Sequence, residues 1–339
     1  MDLSLSEEQL MIQKAAREFA QQQCLPGVIE RDEHQKVPKE QLLQLADLGF
    51  MGIMTPSEYG GAGMDTISYV LAMEEISKVD SSVSVSVSVN NSLVCWGLEK
   101  YGNEAQKQKY LTPLAQGKKD GALYLGAFLL SEPEAGSDAT HQHTSAIDKG
   151  DHYVLNGVKN WITNGSTASV YLVMAQTDAS KGSRGINAFI VEKNTPGITV
   201  GPKENKMGIR GSDTHSISFM DVIVPKENRI GEDGFGFNFA MKTLNGGRIG
   251  IAAQALGIAS GAYELALAYS KERKSFGKPI HEHQAIQFKL AEMATRIETA
   301  RLLCYKAAWE KDNHMDYVMS AAMAKLHARD TAMWVTTEA

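Results

Sequence analysis

Cysteine is scarce in this sequence. Cys24, Cys95 and Cys304 are the three among 339 residues, far apart, odd in number and without a CxxC pair. That excludes a disulfide framework and a zinc site, and leaves buried, reduced thiols in a cytosol-like compartment as the expectation. An excess of positive charge is also missing. Thirty-four basic residues face 40 acidic ones, a net charge of −6. A general nucleic-acid binder would show the opposite balance, whereas a small anionic ligand needs only a local basic cluster. No apolar run approaches the roughly 18 residues that would span a bilayer. The opening Met1-Asp2-Leu3-Ser4 lacks a basic stretch followed by an apolar core, so no secretory signal is expected. No internal repeat occurs, and the one low-complexity run is Ser-Val, over residues 82–89. What is present is ordinary globular material, 43% hydrophobic and 22% charged. The length suggests two or three structural units.

The first third reads as helical. Ser6 and Gln9 fit a capping box, and Leu10, Met11, Ala15 and Phe19 then fall on one helical face. Pro26 limits that helix. Leu42 to Leu48 marks a second helix. The glycine-rich loop Tyr59–Gly63 precedes helical spacing at Ile67, Val70, Leu71 and Ile76. In the middle third, Tyr153-Val-Leu155 before Asn156-Gly157 is a hairpin signal. The runs 170–175, 188–191 and 216–224 are β-rich. The last third returns to helix. Leu256 to Tyr269 forms one, Met315 to Val335 another, and Ile286, Leu290, Met293, Ile297, Ala300 and Cys304 make a bundle seam. The expected fold class is α+β: an N-terminal helical domain (1–125), a middle β-domain (126–235) and a C-terminal helical domain (236–339).

Two stretches carry chemistry. In Phe128–Asp138, apolar residues enter a turn containing Pro133 and Gly136, flanked by Ser131 and Ser137. Its backbone groups could face a flat heterocycle; taken alone, it reads more readily as a surface turn. In Trp161-Ile-Thr-Asn164, an indole beside a hydroxyl could flank an aromatic cofactor, although a lone Trp usually sits in a core. His141 and His143 have no third ligand nearby and read as a solvated turn rather than a metal site.

Taken together and in this order, the chain resembles the acyl-CoA dehydrogenase family. The resemblance rests on Ser131-Glu-Pro-Glu-Ala-Gly-Ser-Asp138, Trp161-Ile-Thr-Asn164, Met207-Gly-Ile-Arg-Gly-Ser212 and Val224-Pro225. Further on come Gly234-Phe-Gly-Phe237, Gly247-Arg248, Glu272-Arg-Lys-Ser-Phe-Gly277, His283-Gln284 and Thr336-Thr-Glu338. It covers essentially every residue. It implies FAD as cofactor. Phe128, Leu130, Ser131, Gly136 and Ser137 would line the isoalloxazine, with Leu130 and Ser131 reaching its pyrimidine side. Trp161, Ile162 and Thr163 would cover the other face, with Thr163 near N5. Arg273, Ser275, Phe276 and Gln284 would reach the ADP part across a subunit interface, in a homodimer or homotetramer. Without the resemblance, Arg273 and Lys274 would read as solvated charges. On the substrate side, Ser137, Leu244, Asn245, Gly246, Gly247 and Arg248 match positions that contact acyl-CoA. Relatives often carry Asp where this chain has Asn245. The stretch Gly246–Gly257 looks most like short-chain, butyryl-type members.

The resemblance implies concerted chemistry: a Glu removes the α-proton of a thioester while the β-hydrogen leaves as hydride to the flavin, and electrons pass on to an electron-transfer flavoprotein. Neither position that holds this Glu in relatives is filled among the 339 residues. Gly247 occupies one, and the other would fall beyond Ala339. No catalytic residue is therefore assigned, and negligible turnover is the expectation. Gly117 to Ser131 is longer than the usual spacing by roughly five residues, a loop-sized insertion. Absorbed in a loop it is harmless; a register shift in the following strand would flip side chains. By the same resemblance, the Ser-Val run should be helical against its alternating pattern. The alternatives are an oxygen-using oxidase relative and a catalytically silent flavin- and acyl-CoA-binding protein. The expected location is the cytoplasm in a bacterium or the mitochondrial matrix in a eukaryote, with neither nucleic acid nor membrane as partner.

Overall fold

The computed structural model describes residues 4–339. The order is helical, then β, then helical. Contacts divide the chain into two compact units. One comprises residues up to 28, 65–84 and 248–339; the other comprises 29–64 and 85–247.

The first unit is helical. Helix Glu7–Phe19 opens with the expected capping box: Gln9 N donates to Ser6 Oγ at 3.2 Å, and Ser6 N donates back to Gln9 Oε1 at 3.0 Å. Its buried positions are Ala16 and Phe19, whereas Leu10 and Met11, expected on the apolar face, are exposed. The stripe that packs on helix Thr66–Ser77 runs through 16, 19 and 20, one register away from the one read from the first turn. The chain leaves this helix through wider π-type turns at Ala20–Cys24, ahead of Pro26. Helix Gln284–Asp312 buries Met293, Ile297, Ala300 and Cys304 as its seam predicts, and packs against Val318–Glu338 and Thr66–Ser77. Charge is buried here in complementary sets. Arg301 donates to Glu74 at 2.8 Å, and Arg17 to Glu75 at 2.8 Å with Lys78 also at hand. The Asp312 carboxylate caps helix Thr66–Ser77 by accepting from Thr66 N and Ile67 N.

The Ser-Val run is helical, Ser81–Ser88. Asp80 accepts from Ser82 N and Val83 N at its start. Val83, Ser84, Ser86, Val87 and Ser88 are all buried, so no face is left for the polar side of a strand. Burial on every side overrides the weak β-propensity of alternating valines.

The second unit is built on an eight-stranded sheet. Its path runs Arg229–Ile230, Ile186–Glu192, Val170–Gln176, Ser145–Asp148, His152–Thr163, Thr214–Pro225, Ile198–Lys203, while Gly126–Leu129 pairs parallel to Val170–Gln176. Asn156-Gly157 is not a hairpin turn. The strand runs on through it to Thr163, with a register irregularity between Leu155 and Gly157; the reversal comes earlier, at Lys149–Asp151. Two contacts explain this. Asn156 exchanges side-chain bonds with Asp221, and a Cβ on Gly157 would lie 2.5 Å from Thr144 Oγ1. The glycine serves close approach here, not a turn.

The residues after Gly117 form a two-stranded hairpin, Lys118–Lys119 with Ala122–Leu123. Its turn residues Asp120 and Gly121 both have positive φ, and Tyr124 N donates to Gly117 O at 2.9 Å. Next, the buried Asn90 side chain accepts from Gly126 N and donates to Met51 O and Leu114 O, fixing where the strand Gly126–Leu129 begins. Ala127 and Leu129 face the core, and Phe128 lines the cavity described below.

The helix Gly236–Glu272 is 37 residues long and apolar enough to cross a membrane by length and composition. No such stretch was apparent from unbroken apolar runs, because Lys242 and Arg248 interrupt it. Phe239, Ala240, Ile249, Ala252, Ala253, Leu256 and Ala259 are fully buried, so its hydropathy serves a protein core.

Candidate flavin and acyl site

A cavity of about 500 Å³ lies at the edge of the sheet. One wall is the end of strand Gly126–Leu129 and the loop after it, through Phe128, Leu130, Ser131, Gly136 and Ser137. A second is Trp161, Ile162 and Thr163. A third is the start of the long helix, through Phe237, Met241 and Leu244. The structure thus brings both sequence motifs to one place. The loop and the strand are also bonded directly, Asn160 N donating to Ser131 O at 2.9 Å.

Trp161 is not a core residue. It is 63% exposed and has φ +63°, within the register break between Lys159 and Ile162. A bulge adds a residue to one strand and re-aims its side chain. A bulky residue in left-handed conformation costs roughly 1–2 kcal/mol. The strand bears that strain and sets an indole at the cavity mouth, while Ile162 beside it is buried in the sheet core.

Apart from Asp138, the lining carries no charged side chain: it is apolar, with hydroxyls at Ser131, Ser137, Thr140 and Thr163. Asp138 is well exposed and lies beside the His141 ring. Such walls suit an uncharged planar ring with polar edges.

The sequence reading missed what lies behind the loop. Lys159 is fully buried, and its ammonium donates to Leu130 O at 3.0 Å, Glu132 Oε1 at 2.7 Å and Gln142 Oε1 at 3.1 Å. Glu132, also buried, accepts from His143 N at 2.6 Å and Thr144 N at 3.1 Å. Burial pulls the Lys159 ammonium down to about 8, with Glu132 opposing the fall. Burial would raise the Glu132 carboxyl, but the Lys159 charge and the His143 N–H outweigh it and hold it below the usual value. The available signal was a glutamate within the first motif and a lysine two residues ahead of the second.

Of the other candidate residues, Leu244 lines the cavity, while Asn245, Gly246, Gly247 and Arg248 follow it on the same helix outside the lining. A Cβ on Gly247 would lie 2.7 Å from Leu93 Cδ2, and Leu93 is a lining residue. Arg273, Ser275, Phe276 and Gln284 do not line the cavity. Arg273, Ser275 and Phe276 lie at a small exposed hairpin, Lys274–Ser275 with Lys278–Pro279, closed by Ile280 N donating to Arg273 O at 2.8 Å, while Gln284 opens the helix that follows, Gln284–Asp312. Phe276, at φ +49°, is 94% exposed and lies edge-on to the His283 ring.

A helical–β–helical chain with a largely apolar, aromatic-walled cavity at its sheet edge has the architecture of a flavin-dependent dehydrogenase. The chain belongs to the acyl-CoA dehydrogenase family, matching its N-terminal domain over residues 6–118, its middle domain over 127–222 and its C-terminal domain over 234–339. A short-chain-specific acyl-CoA dehydrogenase of Clostridium acetobutylicum is 49% identical over 100% of this chain and 88% of its own length. The human mitochondrial short-chain-specific acyl-CoA dehydrogenase is 45% identical over 99% of this chain and 81% of its own. The solved structure of butyryl-CoA dehydrogenase from Megasphaera elsdenii is 48% identical with a TM-score of 0.97, covering 100% of this chain and 88% of that one. A chain from a structure describing the electron transferring flavoprotein of Acidaminococcus fermentans is 50% identical with a TM-score of 0.97, covering 99% and 87%. The cofactor is FAD, as in the family.

Proposed function

We propose that this protein dehydrogenates short-chain acyl-CoA thioesters to trans-2-enoyl-CoA and delivers the electrons to an electron-transfer flavoprotein. The largely apolar cavity walled by Phe128, Leu130, Trp161 and Leu244 carries the reading. Bound FAD supplies the hydride acceptor. Phe128, Leu130, Ser131, Gly136 and Ser137 hold one face of its ring system, and Trp161, Ile162 and Thr163 the other. Arg273, Ser275, Phe276 and Gln284 offer their exposed hairpin to the ADP part of FAD in a neighbouring subunit, Arg273 through its fork of donors. A homodimer or homotetramer follows from that arrangement. Ser137, Leu244, Asn245, Gly246, Gly247 and Arg248 form the acyl-CoA side. The short-chain assignment draws on the names of the relatives and on the narrow space between Gly247 and Leu93.

Removal of the α-proton needs a positioned carboxylate, and a general base typically contributes about 10²–10⁴-fold. We assign none among residues 4–339. Asp138 is exposed beside His141, and Gly247 has no side chain. The experiment is anaerobic mixing of the FAD-loaded 339-residue chain with acyl-CoAs of increasing length. Butyryl-CoA should perturb the flavin spectrum most, with negligible bleaching. A chain that takes up FAD but shows no acyl-CoA perturbation would overturn the substrate reading. Fast bleaching would show that one of these residues is a base, with Asp138→Asn the next variant to test.

A further inference from the structure

The buried Lys159–Glu132 pair has no part in the reading above. Lys159 is on the strand, one residue before Asn160 and the Trp161 bulge, and does not itself line the cavity. Its ammonium has three protons and three acceptors, so its donors are fully used. Those acceptors come from both ends of the irregular loop 130–144: Leu130 and Glu132 at one end, Gln142 at the other. Glu132 in turn holds the backbone at His143 and Thr144. Between these ends the loop has little ladder of its own. Glu132 and Ala135 exchange backbone bonds, and His141 N donates to Asp138 O. Yet this stretch supplies Ser131, Gly136, Ser137, Asp138, Ala139 and Thr140 to the cavity wall. A lone charge pair in a core is poor evidence for stability, since apolar residues of similar volume are often as good or better. This pair therefore calls for another account.

The Leu130–Ser131 peptide supplies it. In a trans peptide the carbonyl and the following N–H point in opposite directions. The Leu130 carbonyl points at the Lys159 ammonium, so the Ser131 N–H points away from it, and both residues of this peptide line the cavity. A carbonyl bonded to a cation polarises its peptide and strengthens that N–H as a donor. We infer that Lys159 is a positioning residue for the flavin: it clamps both ends of the 130–144 loop and, through the Leu130–Ser131 peptide, directs a strengthened donor at the pyrimidine side of the ring. This rests on the flavin reading of the cavity. Lys159 touches neither the flavin nor the substrate. That strengthened donor favours electron density on the pyrimidine side, and so favours reduced over oxidised flavin.

The test separates charge from packing. Lys159→Met alone strands Glu132 as an unpaired buried charge and destabilises the fold for reasons of burial. The informative protein is Lys159→Met/Glu132→Gln, in which neither charge remains. FAD affinity is measured by fluorescence quenching and the midpoint potential by chemical reduction without acyl-CoA, beside a urea unfolding curve. The double variant should unfold near the wild-type midpoint, yet bind FAD about tenfold more weakly. Its preference for reduced flavin should also fall about tenfold, which is about 30 mV for a two-electron couple. Lys159→Arg should return most of the shift. A double variant with wild-type affinity and potential would reduce Lys159 to packing and overturn the inference. Should the double variant fail to fold, Gln142→Leu is read instead, since it keeps the ion pair and removes one acceptor. It should shift affinity and potential in the same direction, at least twofold; no shift overturns the inference. If the unaltered chain takes up no FAD at all, the functional reading falls first and this one with it.

Discussion

Two strands of the one sheet follow opposite rules. Val170–Gln176 is paired along its length with Ile186–Glu192 in unbroken register, and from Val170 to Ala175 it is buried. His152–Thr163 keeps its pairing with Thr214–Pro225 only with irregularities on either side of residues 157–159, and carries Trp161 in left-handed conformation. The first is a continuous apolar run and does nothing but hold the core. The second alternates, buries Lys159, exposes Trp161 and borders the cavity. Regular pairing satisfies every backbone group but leaves side chains alternating between faces. A bulge is how a strand escapes that alternation. Departure from the ideal ladder therefore coincides with the cavity.

The largest effect that would sharpen the contrast is in the regular strand. Leu172→Ala removes a fully buried side chain paired opposite Phe128 and Ile190. It should cost about 2–5 kcal/mol in urea unfolding, with an unchanged flavin potential once FAD saturates. A shift in potential would mean that this strand is not mere scaffold. In the irregular strand the signs should reverse. Trp161→Gly relieves the left-handed strain while freeing the unfolded chain, so stability should stay within about 1 kcal/mol of wild type. FAD affinity should fall about tenfold, about 1.4 kcal/mol, with the loss of the aromatic face. A large loss of stability with unchanged FAD affinity would undo the comparison. The smallest effect belongs to Thr163→Val, nearly isosteric at the strand's end. It should shift the flavin potential while moving the urea midpoint little, and an unchanged potential with intact binding would remove Thr163 from the site.

How much of this was legible follows from the range of each interaction. The seam at Met293, Ile297, Ala300 and Cys304 and the Ser6–Gln9 capping box are local and periodic, and were read directly. The runs at 170–175 and 188–191 are strands for the same reason. Asn156-Gly157 misled because the glycine answers to Thr144, thirteen residues upstream and just ahead of strand Ser145–Asp148. The exposure of Trp161 depends on a bulge that no spacing rule announces. Lys159 and Glu132 stand 27 residues apart, and each alone looks like an ordinary surface charge. Only the fold removes both from water. The cavity lining was within reach because its residues fall in two short motifs, whereas the network behind it depends on a single long-range contact.

The small hairpin at Lys118–Leu123 has a consequence for how this family can change length. Its two turn residues occupy the left-handed region, and the Tyr124–Gly117 bond closes it at its base. Downstream, the position of Gly126 is set by Asn90 and by the ladder to Val170, not by the chain that leads into it. Residues gained or lost at the hairpin tip therefore need not reach Phe128. Loop lengthening costs little in entropy, about 0.6 kcal/mol per doubling. The tip is a natural graft point, where a foreign peptide or a reporter domain could be carried without disturbing the cavity a few residues further along the chain.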